Sequence, residues 1–169
     1  MLKILIVEDE TQLSSMLKYM VEDNPRYRVV AMAEDAPSAL ADAAETTPDL
    51  ALIDLHLANG SSGYGVAARL SDDGIPCLFV TGRAPGFAMP DLALGCLMKP
   101  FTGDDVHRAL AMAEDVMRGR KSLRPRTPKN FELYDATSTV PAHQPAACLP
   151  PPRLSLTGRL AAWVAGSAH

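Results

Sequence analysis

Four short apolar runs, each closing on a polar group, constrain this chain more than any other feature. Ile4-Leu5-Ile6-Val7 leads into Glu8-Asp9-Glu10, and Asp49-Leu50-Ala51-Leu52-Ile53 leads into Asp54. Leu78-Phe79-Val80 leads into Thr81-Gly82, and Leu97-Met98 into Lys99-Pro100. Runs that are almost wholly apolar fit strands buried on both faces, the pattern of a parallel sheet covered by helices. Parallel strands end on one edge, and in open α/β sheets that carboxyl edge is where ligands bind. The pattern therefore predicts an acidic pocket containing a hydroxyl and an ammonium.

The segments between these runs read as helices. Leu13, Met16, Leu17, Met20 and Val21 recur at helical spacing, with Thr11 as a cap and Asn24-Pro25 as the stop. Tyr27 to Met32 reads as a second strand. Pro37 opens an alanine-rich helix that closes at Thr46-Thr47-Pro48. Leu50 to Ile53 is the third strand, Val66, Ala67 and Leu70 mark a short helix, Ile75 to Val80 is the fourth strand and Leu92 to Met98 the fifth. Two prolines and a glycine in Arg83 to Asp91 leave little room for a regular fourth helix, so that crossover is expected to be shortened or irregular. Val106, Leu110, Ala113 and Met117 mark a last helix capped near Thr102. Five strands alternating with helices predict an α/β, doubly wound, five-stranded parallel sheet with right-handed crossovers.

A chain of 169 residues, 47% of them hydrophobic, suits one domain with sequence to spare. Charge divides it. Residues 1–117 hold 8 Lys and Arg against 18 Asp and Glu, and the remainder holds 8 against 2. Residues 1–117 are thus expected to form the domain. Residues 118–169 are expected to be a basic, proline-rich flexible extension, with Leu156, Leu160, Trp163 and Val164 marking a short amphipathic helix near 154–165. Cys77, Cys96 and Cys148 show neither paired nor metal-ligand spacing, which fits a reducing compartment. The N-terminus lacks a secretory pattern and no run of about 18 apolar residues occurs, so a cytoplasmic chain without a membrane partner is expected.

The chemistry of the pocket follows from its groups. Glu8, Asp9 and Asp54 converging within a few Å repel one another unless a cation sits among them. Mg²⁺ is hard, takes oxygen ligands and keeps waters for an incoming phosphate, so it is the cofactor expected. Asp54, ending the central strand, is the candidate nucleophile toward an in-line phosphoryl group. Thr81 can donate its hydroxyl to one phosphoryl oxygen, and Lys99 can neutralise another.

At Glu8-Asp9, Asp54 within Ile-Asp-Leu, Thr81-Gly82 and Lys99-Pro100-Phe101, the chain resembles the CheY-like receiver domain of two-component response regulators, with its flavodoxin-like fold. The resemblance implies Glu8 and Asp9 as Mg²⁺ ligands and Asp54 as phospho-acceptor and further ligand. It also implies that His56 offers the metal its backbone carbonyl, Thr81 acts as the switch hydroxyl and Lys99 binds phosphate. His56 and Arg83 stand where side chains flank the phosphoryl group and tune its lifetime. One departure stands out. Cys96 occupies the position, three residues before the lysine, where receivers usually carry an aromatic switch. Phe79-Val80-Thr81-Gly82 followed by a disrupted fourth helix is instead similar to the FATGUY subfamily, although Val80 replaces its alanine and Ala84 its tyrosine.

What the resemblance implies is a single-domain regulator phosphorylated by a sensor histidine kinase, of the HWE/HisKA2 type if the subfamily holds. Such a protein signals by contact with a histidine phosphotransfer or downstream regulator protein, or drains phosphate from a shared kinase. A homodimer is a further partner state. It is not an enzyme beyond its own phosphotransfer and dephosphorylation. Two other classes share part of this pattern. A HAD-like phosphatase shares the Asp, Thr and Lys set with Mg²⁺ but needs a second acid where His56 stands. A nucleic-acid binder could use Arg118, Arg120, Lys121, Arg124, Arg126 and Lys129, yet no aromatics interleave with them, and a solvated linker is the simpler reading.

Overall fold

The structure is a computed structural model that describes residues 1–120 and 127–134. Strand β1 (Leu2–Val7), helix α1 (Thr11–Glu22), β2 (Tyr27–Ala33), α2 (Ala36–Thr46) and β3 (Leu50–Ile53) follow one another. After a 3₁₀ turn at Ala58–Gly60 come α3 (Gly63–Asp72), β4 (Cys77–Thr81), β5 (Gly95–Met98), α4 (Gly103–Met117) and β6 (Phe131–Leu133). The sheet runs β2-β1-β3-β4-β5-β6, parallel throughout except that β6 lies antiparallel to β5.

Alternation along each strand divides the core in two. Ile4, Ile6, Leu50, Leu52, Leu78, Val80 and Leu97 face α1 and α4. Leu5, Val7, Ala51, Ile53, Cys77, Phe79 and Cys96 face α2 and α3. Both faces are dry, which is why the strands read as continuous apolar runs rather than as alternating ones. Helix α2 begins at a capping box between Asp35 and Ser38, and α4 at one between Thr102 and Asp105. The Ser38 hydrogen bonds hold the Asp35 carboxyl below its usual range. Among the described residues no helix is long and apolar enough to cross a membrane.

The α/β receiver-type architecture is as expected, with three corrections. The sheet has six strands, not five, and is mixed, because Phe131–Leu133 returns from the segment read as a flexible extension. Strand β5 would otherwise be an edge with unpaired N–H and C=O groups, and β6 satisfies them. No helix at all stands between β4 and β5, where a shortened one was expected. At α1 the N-cap is Glu10, without a side-chain cap bond, and Thr11 is already helical. The candidate helix near 154–165 lies outside the described residues.

Candidate functional site

Strand ends carry the site. Glu8 follows β1, Asp54 follows β3, Thr81 ends β4 and Lys99 follows β5. Adjacent strands in register bring them together: Val7 pairs with Ile53, and Thr81 with Met98. The Asp54 amide donates to the Val7 carbonyl at 2.9 Å and the Lys99 amide to the Thr81 carbonyl at 2.8 Å, so each side chain leaves from a fixed backbone position.

One carboxylate oxygen each from Glu8, Asp9 and Asp54 lies within 4.8 Å of the other two. Glu8 is 4% and Asp54 7% exposed, whereas Asp9 faces solvent. Lys99 spans the two buried acids, its Nζ 2.8 Å from Glu8 Oε2 and 2.5 Å from Asp54 Oδ2. The second Asp54 oxygen accepts from the His56 amide at 3.1 Å. Burial pushes the Glu8 carboxyl above its ordinary range against the pull of the Lys99 ammonium. Burial works against the Lys99 charge, but hydrogen bonds to Asp54 and Glu8 outweigh it and hold the ammonium above its usual value. One cation among three carboxylates leaves the cluster net negative. Three oxygen donors with an open side toward Asp9 fit a hard dication that keeps part of its water shell.

Thr81 is fully buried, and its Oγ1 lies 3.5 Å from the Arg83 amide. The two residues read as tuners of phosphoryl lifetime are both exposed. The His56 side chain is 70% exposed with Nδ1 4.0 Å from Asp54 Oδ1, and Arg83 points its charge at no group among the described residues' ion pairs. Cys96 is buried on the α2–α3 face, where burial pushes its thiol up to about 11. Burial likewise pushes Cys77 up to about 12, so both are packing thiols.

Three residues matter here that sequence reasoning passed over. Gly63 sits against the loop after Asp54: a Cβ there would lie 2.0 Å from the Asp54 carbonyl oxygen. Asn130, just before β6, donates through Nδ2 to the carbonyls of Met98 and Pro100 on either side of Lys99. Tyr134, just after β6, is buried in the cluster that holds Cys96 and interacts with its thiol through the hydroxyl. Gly63 left one signal, a glycine nine residues after an acid-ended strand. The other two left none, because their partners are distant in the chain. The basic run is partly accounted for: Arg118 pairs with Glu114 at 2.7 Å and Arg120 with Asp115 at 3.0 Å, both back onto α4.

Known proteins agree with this layout. Residues 4–111 match the family model of the response regulator receiver domain. The chain is 30% identical over 146 residues to the DNA-binding response regulator MtrA of Mycobacterium tuberculosis, covering 84% of this chain and 60% of that one. It is 29% identical over 109 residues to a protein-glutamate methylesterase/protein-glutamine glutaminase of Anaeromyxobacter dehalogenans, covering 62% of this chain and 32% of that one. It thus spans less than two thirds of the length of these relatives. Among solved structures, a CheY-like receiver domain protein from Methanospirillum hungatei superposes with a TM-score of 0.63 at 26% identity, over 70% of this chain and 98% of that one. The family match runs from β1 into α4 and so takes in the whole sheet edge on which the acids, the threonine and the lysine meet. This chain belongs to the response regulator receiver domains.

Proposed function

We propose that Asp54 accepts a phosphoryl group from a sensor histidine kinase and that this chain works as a phosphorylation-controlled regulator. The observation that carries the reading is the convergence of Glu8, Asp9 and Asp54 within 4.8 Å, with Lys99 bridging Glu8 and Asp54 and Thr81 ending the neighbouring strand. Glu8, Asp9, Asp54 and the His56 carbonyl would hold Mg²⁺, which when bound supplies positive charge for the transferred oxygens. An Asp54 oxygen forms the new O–P bond while the donor's N–P bond breaks. Formation of the acyl phosphate removes the carboxylate charge, so the Lys99 ammonium is freed to hold a phosphoryl oxygen instead. Thr81, buried at the same edge, offers its hydroxyl to another, and His56 and Arg83 are placed to tune hydrolysis.

In this proposal the phosphorylated domain signals by protein contact or serves as a phosphate sink. In this reading residues 1–117 are the core of the receiver. The missing helix between β4 and β5 and the cysteine at position 96 support assignment to the FATGUY group, and with it a kinase of the HWE/HisKA2 type. A phosphatase of the HAD class is disfavoured by the exposed His56 where a general acid is needed. The ion pairs of Arg118 and Arg120 favour the linker reading of the basic run over nucleic-acid contact.

Phosphotransfer profiling tests the proposal. Purified histidine kinases charged with labelled ATP are mixed with the full chain and with Asp54→Asn. At least one kinase is expected to label the wild type and leave the variant blank; equal labelling of both removes Asp54 as the acceptor.

A further inference from the structure

We infer that the phosphorylation site is completed from beyond the matched family segment: Asn130, at the entry to β6, is a positioning residue for Lys99, and docking of β6 is coupled to occupancy of Asp54. The inference rests on the reading of Asp54 as phospho-acceptor.

Asn130 makes three bonds to the loop that carries the lysine. Its Nδ2 donates to the Met98 carbonyl at 3.1 Å and to the Pro100 carbonyl at 3.0 Å, and its own carbonyl accepts from the Met98 amide at 2.7 Å. Both peptide neighbours of Lys99 are thereby fastened to one side chain, while the Lys99 amide is held by Thr81 from β4. A lysine is a point charge on a flexible stem, so the place its ammonium reaches depends on where its backbone is pinned. Without β6, the loop after β5 would hang from a sheet edge with its outer groups in water.

The same strand does a second thing at its far end. Tyr134 donates its amide to the Leu94 carbonyl at 2.8 Å, is buried in the cluster that holds Cys96, and interacts with that thiol through its hydroxyl. An aromatic group thus covers the cysteine, on the face that no helix between β4 and β5 covers. Strand β6 therefore joins the lysine loop to the packing around Cys96. Coupling of this kind is reciprocal: if the docked strand favours the Lys99 position that binds a phosphoryl oxygen, the phosphoryl group favours the docked strand.

The test uses the full ¹⁵N-labelled chain titrated with beryllofluoride at fixed Mg²⁺. In the wild type, amides beside Asp54 and the side-chain amide of Asn130 should shift with one midpoint, and exchange of the Tyr134 amide should slow. Asn130→Ala, which removes both Nδ2 hydrogen bonds, should bind beryllofluoride at least about fivefold more weakly. Its affinity for Mg²⁺ alone should not fall, because the three acids stand on other strands and a loosened Lys99 competes less for Glu8 and Asp54, whereas a merely structural loss would lower both. Asn130→Asp, which keeps the size but turns a donor into an acceptor facing two carbonyls, should be at least as weak. Wild type that binds while the Asn130 side chain stays still, or Asn130→Ala that binds equally well, overturns the inference. Wild type that fails to bind at all overturns the reading of the site itself, and the inference with it.

Discussion

Asp54 is held by contacts that its own carboxylate does not make. Its amide is tied to Val7, and the carbonyl that follows is packed against the Cα of Gly63, which no other residue could occupy without displacement. Gly63→Ala forces a methyl group to within 2.0 Å of that carbonyl. Overpacking of this kind costs about 1–3 kcal/mol, and here the shift falls on the proposed phospho-acceptor. A lower denaturant midpoint together with slower phosphorylation by a small-molecule donor is expected. An unchanged midpoint and rate would show that the loop can give way. At this scale the sequence was informative where a residue ends an apolar run, as Glu8, Asp54, Thr81 and Lys99 do. It was silent on Asn130, whose side chain acts on a carbonyl 30 positions away.

Elements were legible in proportion to their length and their caps. Helix α2 begins at Asp35 and α4 at Thr102 because each can close a capping box, and both starts follow from side-chain chemistry local to the turn. The proline-rich crossover after β4 signalled a shortened or irregular helix, and none forms there. Strand β6 could not be read, since three residues give no periodicity and its stabilising partner is the open edge of β5. Its pairing depends on Gly95, where a Cβ would stand 2.4 Å from the Glu132 carbonyl oxygen. Gly95→Val should therefore expel β6 and uncover Cys96, now 2% exposed beneath Tyr134. Peptide-resolved alkylation checks this: Cys96 should react faster in the variant while Cys77, packed beneath α3, does not. Equal protection of Cys96 would mean that β6 stays docked by other contacts.

For the molecule as a whole, a sheet closed on both faces delivers its chemistry to a single edge, and the residues there are charged against one another. Two buried acids share one ammonium beside a third, exposed acid, an arrangement whose surplus negative charge suits a dication and in which Asp54 is held between Lys99 and the His56 amide. The fold class was legible because alternating strands and helices admit few topologies, and the mixed sixth strand was not, because it is set by tertiary pairing alone. The most direct measurement is intact and peptide mass analysis of the full chain after exposure to acetyl phosphate, with Mg²⁺ in one sample and EDTA in the other. One added phosphoryl group, on Asp54 and only with Mg²⁺, is the result expected. A phosphoryl group on another residue, or equal modification in EDTA, would contradict the assignment of this edge as a magnesium-dependent aspartyl phosphorylation site.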